Sequence, residues 1–158
     1  MDIFKSSFRK SKFRLDWVLV DELAIGPAPR KKNHLDLIES EGIKSIFSLC
    51  SDDEVLNPTD MEKRFKCNRL LLPDHKSGRL PLLNELNNAL DALSEIKEFG
   101  PVFIHCVAAM ERSPLVCMGW LIKHQSLTAE EALDYMMQVH PGTNPLPGQL
   151  NLLKKLKL

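Results

Sequence analysis

The sequence has no net charge: 21 Lys and Arg balance 21 Asp and Glu. A global field drawing the chain to nucleic acid or to an anionic membrane is excluded, so any attraction for anions is local. Cysteine is scarce and poorly spaced for metals. Cys50, Cys67, Cys106 and Cys117 form no CxxC pair and lack paired histidines nearby, which argues against a zinc site and a dense disulfide framework. No apolar run approaches the length of a membrane span. The opening MDIFKSSFRKSKFR lacks the apolar stretch of a secretory signal. Its basic residues, serines and phenylalanines are a weak transit-sequence signal, and a basic arm leading into the first strand is the simpler reading. Repeats, low-complexity tracts and Gly/Ser linkers are also absent. The expectation is a basic arm at 1–15 and one domain at 16–158, in a reducing, cytoplasmic setting. No metal, cofactor, nucleic-acid partner or membrane partner is expected, and the chain is expected to be a monomer.

What is present alternates. DWVLVDELAIG reads as two short strands about a turn at Asp21-Glu22, and RKKNHLDLIESEG as a helix stopped at Gly42. IKSIFSLC reads as an apolar strand, PTDMEKRFK as a short helix and CNRLLLP as the next strand. From Pro81 to Phe99 the leucines Leu83, Leu86, Leu90 and Leu93 recur at helical spacing. PVFIHC is short and wholly apolar, as a parallel strand buried on both faces requires. Three helices follow, near Ser113–His124, Thr128–Val139 and Pro147–Lys157, the second opening on a Thr128/Glu131 capping box. This order predicts an α/β sandwich around a mainly parallel central sheet flanked by helices, with sites beyond the carboxyl ends of the strands. Cys106 falls there.

The loop after that strand reads HCVAAMERS, His105 to Ser113. A strand, a tight loop and a helix N-terminus together turn unpaired N–H groups and a dipole toward one point. Arg112 adds a planar two-pronged donor for phosphate oxygens. A thiolate at Cys106 would be held by the same donors. HCVAAMERS resembles the HCxxGxxRS/T signature of the cysteine-dependent protein phosphatases, and the chain from about Trp17 to Leu153 resembles their compact dual-specificity branch. LAIGPAP is similar to the entry strand of that branch, LLPDHKSGRLP to its general-acid loop, and LTAEEALDYMMQVHPGTNPLPGQLNLL to its closing helices.

The resemblance implies a phosphoric monoester hydrolase working through a phosphocysteine, with phosphotyrosine of proteins as the first expected substrate and phosphoserine or phosphothreonine as the second. It implies Cys106 as nucleophile, Arg112 and the N–H groups of Val107, Ala108, Ala109, Met110, Glu111 and Arg112 as phosphate ligands, and Asp74 as acid and base. Ser113 would help the thiolate leave, and His105 would organise the loop. Each residue also has a plainer role: Cys106 as core, Asp74 as a turn cap, His75 as a solvated turn residue, Cys67 and Cys117 as core. Cys50 reads as packing, with a Cys50–Cys106 disulfide under oxidation as the alternative.

Two positions depart from the pattern. Ala109 stands where the family has glycine, and Glu111 places a carboxylate beside the phosphate-binding Arg112. They keep open a phosphate-binding pseudophosphatase with little turnover. If the Glu111 side chain points outward, solvent screening weakens its effect. The absence of lysine from Val107 to Glu111 argues against a polyphosphorylated lipid headgroup. Lys31-Lys32 and Lys76/Arg79 are candidates for local positive charge at the mouth, and equally for ordinary surface charges.

Overall fold

A computed structural model describes residues 13–157; residues 1–12 of the arm expected at 1–15 lie outside the described residues. Five strands form one sheet in the order β1-β2-β5-β3-β4. They are β1 (Asp16–Leu19), β2 (Leu23–Ile25), β3 (Ser45–Ser48), β4 (Lys66–Arg69) and β5 (Val102–His105). β1 pairs antiparallel with β2, and every other pairing is parallel. The predicted α/β sandwich with a mainly parallel sheet is the observed fold. β5 is central, and all four of its residues are buried, which explains its unbroken apolar sequence.

Successive residues of a strand face opposite ways, and here they feed two cores. Val102 and Ile104 of β5, Phe47 of β3 and Ile25 of β2 join the larger core. Phe103, Ile46 and Ala24 join the smaller one on the other face. The smaller core is covered by α1 (Lys32–Ser40), through Leu35 and Ile38, and by α2 (Met61–Arg64), through Met61. Phe13 and Leu15, the end of the expected arm, also pack against it. The chain passes close to β5 at Gly26, where a Cβ would lie 2.5 Å from the Arg14 carbonyl oxygen and 2.9 Å from the Phe103 ring. Only glycine fits that crossing.

The larger core lies under α3 (Leu83–Ile96), α4 (Arg112–Gln125), α5 (Ala129–Val139) and α6 (Gln149–Lys154). On α3 the buried stripe is Leu86, Ala89, Leu90, Leu93 and Ile96, while Leu83 is only half-buried. α4 is buried without interruption from Arg112 to Ile122, so it sits between the sheet and its neighbouring helices. Each fully buried Leu or Ile in these cores contributes roughly 2–3 kcal/mol. α5 begins with the expected capping box: Thr128 Oγ1 accepts the Glu131 N–H at 3.1 Å, and Glu131 Oε1 accepts the Thr128 N–H at 2.9 Å. Most elements are shorter than the sequence runs suggested. The strand expected at Cys67–Pro73 is displaced to Lys66–Arg69, where it pairs with β3.

Candidate active site

The parallel register sets Ser48 of β3 beside His105 of β5. His105 is fully buried, with Nδ1 2.9 Å from the Cys106 carbonyl oxygen and Nε2 2.7 Å from Ser48 Oγ. A carbonyl only accepts, so Nδ1 carries the proton and Nε2 accepts from the Ser48 hydroxyl. Burial lowers the imidazole pKa to about 4, outweighing the hydrogen bond to Cys106. His105 is therefore a neutral brace beneath the loop. Cys50 Sγ lies 3.9 Å from the same Nδ1, and burial pushes its thiol up.

Beyond β5 the loop runs from Cys106, which is 2% exposed, to Arg112 at the start of α4. Its carbonyls are tied outward. Val107 O accepts the Ala28 N–H at 3.0 Å, and Met110 O accepts the Asn144 N–H at 2.8 Å. Ala109 O accepts from His140 Nε2 at 2.7 Å, and His140 Nδ1 lies 2.7 Å from Asp16 Oδ2. No N–H from Val107 to Glu111 has a protein partner among the described residues. Outward carbonyls and unpartnered N–H groups are the makings of an anion nest. Ala109 has φ +58°, the left-handed region that favours glycine. The loop closes with alanine there, at a cost of about 1–2 kcal/mol. The methyl is buried in the larger core.

The Cys106 Sγ and Ser113 Oγ atoms are 3.2 Å apart. Arg112 is 4% exposed, and its guanidinium meets a residue that the sequence reading missed. Glu54 Oε1 accepts from Nη2 at 2.9 Å and Oε2 from Nη1 at 3.2 Å. Nη1 also reaches the Leu49 and Leu72 carbonyls, at 3.5 and 3.4 Å. Burial works against the Arg112 charge, but the Glu54 hydrogen bonds and the fields of Cys106, Glu54 and Asp74 hold its pKa above the usual value. The same hydrogen bond holds Glu54 below the usual carboxylate range, against some desolvation. Arg112 Nε, by contrast, is buried and has no partner among the described residues. The signal for Glu54 was its place in SDDE just past the carboxyl end of β3, where sites in parallel sheets lie.

Asp74 lines the same cleft, of about 770 Å³, with Cys106, Arg112, Glu54, Lys76 and Met110. It also caps a turn, Oδ1 accepting the Lys76 N–H at 3.0 Å. The two roles proposed for it are compatible: one oxygen caps, and the carboxyl group borders the cleft. Two side chains whose roles the sequence left open have defined contacts. Glu111 does not point to solvent; its side chain is 12% exposed, and Oε1 accepts the His75 backbone N–H at 2.9 Å and sits 3.2 Å from His75 Nδ1. His75 is accordingly tethered, although its ring is exposed. Arg79 is not free charge at the mouth, since Nη1 and Nη2 pair with Glu85 at 2.7 and 3.0 Å. Cys117 is in the core, and burial raises its thiol pKa. Cys67 is half-buried, its thiol pushed to about 11 by burial first. A second groove, of about 830 Å³, shares Val107 and Ala108 with the cleft and is bordered by Arg30, Lys31 and His34.

A central parallel strand delivering a cysteine, an arginine and a helix N-terminus to one loop defines a cysteine-dependent phosphatase architecture. The family model "dual specificity phosphatase, catalytic domain" matches residues 25–157, and the chain belongs to that family. It is 24% identical over 148 residues to phosphatidylglycerophosphate phosphatase PTPMT2 of Arabidopsis thaliana, covering 92% of this chain and 64% of the relative. It is 31% identical over 75 residues to human dual specificity protein phosphatase 5, covering 47% of this chain and 20% of that protein. The chain thus spans less than two thirds of either relative. Among solved structures, Tk-PTP in its active form superposes with a TM-score of 0.76 at 26% identity, covering 90% of this chain and 95% of that one.

Proposed function

We propose that the protein hydrolyses phosphoric monoesters through a phosphocysteine at Cys106. The observation that carries this reading is the buried Arg112 Nε–H, which has no partner among the described residues. Glu54 holds the Nη1/Nη2 end of the guanidinium, and the Nε/Nη2 edge remains for two oxygens of a phosphoryl group. The loop N–H groups would take the remaining oxygens. Cys106 thiolate attacks phosphorus and an S–P bond forms while the ester P–O bond breaks. Asp74, as the acid, gives its proton to the departing oxygen. Asp74 carboxylate then takes a proton from water, whose oxygen attacks phosphorus. The S–P bond breaks, inorganic phosphate leaves, and the Ser113 hydroxyl donates to the returning thiolate across the 3.2 Å contact.

Four carboxylates border the cleft, Asp53, Glu54, Asp74 and Glu111, against the two cations Lys76 and Arg112. That balance suits a phosphotyrosine peptide with basic flanks, and phosphoserine or phosphothreonine in the same setting. A second reading is a singly phosphorylated lipid headgroup. It is favoured by the Arg30/Lys31 groove, where a further anionic group on the substrate would find counter-charge, and by similarity to a phosphatidylglycerophosphate phosphatase.

The test is hydrolysis of a small aryl phosphate across pH by the native protein, Cys106→Ser and Asp74→Asn. Cys106→Ser is expected to lose on the order of 10⁴-fold or more, and Asp74→Asn ~10²-fold or more. Phosphopeptide binding without Cys106-dependent turnover would instead establish the binding-module reading. Comparing kcat/KM for a Lys/Arg-flanked phosphotyrosine peptide with that for a phosphorylated glycerophospholipid in mixed micelles decides the substrate class.

A further inference from the structure

Residues Asp74 to Gly78 form a small self-contained turn. Ser77 Oγ donates to the Asp74 and Arg79 carbonyls, Ser77 N–H to the Asp74 carbonyl and Lys76 N–H to Asp74 Oδ1. Among the described residues, Glu111 is the only hydrogen-bond partner that residues 74–78 have beyond the adjoining Arg79. It reaches across 36 positions of sequence to the amide immediately after Asp74. A carboxylate before Arg112 opposes an anionic substrate, so its position needs a compensating use.

We infer that Glu111 is a positioning residue for Asp74: its buried carboxylate anchors the acid-bearing turn to the Cys106–Arg112 loop through the His75 backbone amide. The inference rests on the reading of Asp74 as acid and base. A five-residue turn whose internal bonds are all local can swing as a unit. Fixing its one amide sets where the Asp74 carboxyl group stands relative to phosphorus and the leaving oxygen, and a displacement of about 1 Å costs such a transfer on the order of 10²-fold. The anchor needs an acceptor atom at Oε1 and not a charge. An amide oxygen in the same place does the same work, whereas a residue acting as the acid itself has to ionise.

The test uses paired substrates, an aryl phosphate with a good leaving group and an alkyl or unsubstituted phenyl phosphate with a poor one, since only the poor leaving group needs the acid. Glu111→Ala is expected to lower the poor-to-good ratio of kcat/KM, which reads only the steps up to phosphocysteine formation, about 10- to 100-fold. Glu111→Gln is expected to hold that ratio within about 3-fold, because it keeps the acceptor. Asp74→Asn should lower the ratio by itself, and adding Glu111→Ala should then lower it no further. A Glu111→Gln loss equal to that of Glu111→Ala would overturn positioning and make Glu111 a proton donor. Equal losses on both substrates would overturn it in favour of a general structural role. Hydrogen exchange at the His75 amide reads the anchor without turnover: slow exchange in the native and Gln proteins and fast in the Ala protein is expected, and equal rates in all three would refute the contact. Should Asp74→Asn leave the ratio untouched while the amide data hold, it is the acid assignment that fails and not the anchor.

Discussion

Glu54 and Glu111 are both carboxylates at the Cys106–Arg112 loop, and they are used differently. Glu54 comes from the segment after β3 and meets a full cation, making a two-pronged pair with Arg112. Glu111 comes from the loop itself and meets a neutral backbone amide of the Asp74–Gly78 turn. The first contact aligns a guanidinium and uses its charge. The second secures a piece of chain and uses only an acceptor. A carboxylate beside an anion-binding arginine is therefore not one kind of perturbation: its effect follows from what its oxygens already hold.

The difference predicts how each carboxylate fails. Glu54→Ala should lower kcat/KM about 100-fold on good and poor leaving groups alike, because a misaligned Arg112 affects every phosphoryl group. The same variant should lose about 1–3 kcal/mol in denaturant melts, since it strands a buried charge whose partner was only part-buried. A leaving-group-dependent loss would erase the distinction from Glu111.

Acid separates the charged pair from the neutral imidazole beneath it. Burial depresses the His105 pKa, so the unfolded chain binds a proton that the folded chain refuses. The stabilisation is fully present above the ordinary histidine value of 6.5 and is lost as pH falls toward the folded value of about 4. Between about pH 7 and 5 this costs roughly 2 kcal/mol, which His105→Asn should remove from the pH dependence of the melting curve. The Glu54 carboxylate, depressed by Arg112, contributes stability above the ordinary glutamate value of 4.5 that fades at lower pH. The two losses should therefore appear in that order on acidification.

The smallest effect is expected at the position that looked most damaging. Ala109→Gly should gain about 1 kcal/mol by relieving the positive φ, with kcat changed by less than about 3-fold. A rise of orders of magnitude in kcat would mean that the alanine methyl, and not the carboxylate, had restrained the loop.

The fold was legible wherever burial imposes a period. PVFIHC had to be a doubly buried strand, the α3 leucines had to line a face, and Thr128/Glu131 had to cap a helix. The candidate site was legible where chemistry is local in sequence, from His105 to Ser113. Glu54 and the Glu111–His75 contact lay beyond reach because they join segments 58 and 36 residues apart, through loops with no periodicity. Arg79 stayed open for a related reason: its partner Glu85 sits on α3, and a sequence shows charges without showing which are already paired.

The most direct measurement is rapid-quench mass spectrometry of the native protein and Asp74→Asn mixed with an aryl phosphate. The account predicts one phosphoryl group on the Cys106 peptide, accumulating in Asp74→Asn because hydrolysis of the S–P bond lacks its base, and absent in Cys106→Ser. Phosphate released with no adduct on Cys106, or turnover surviving Cys106→Ser, would contradict it.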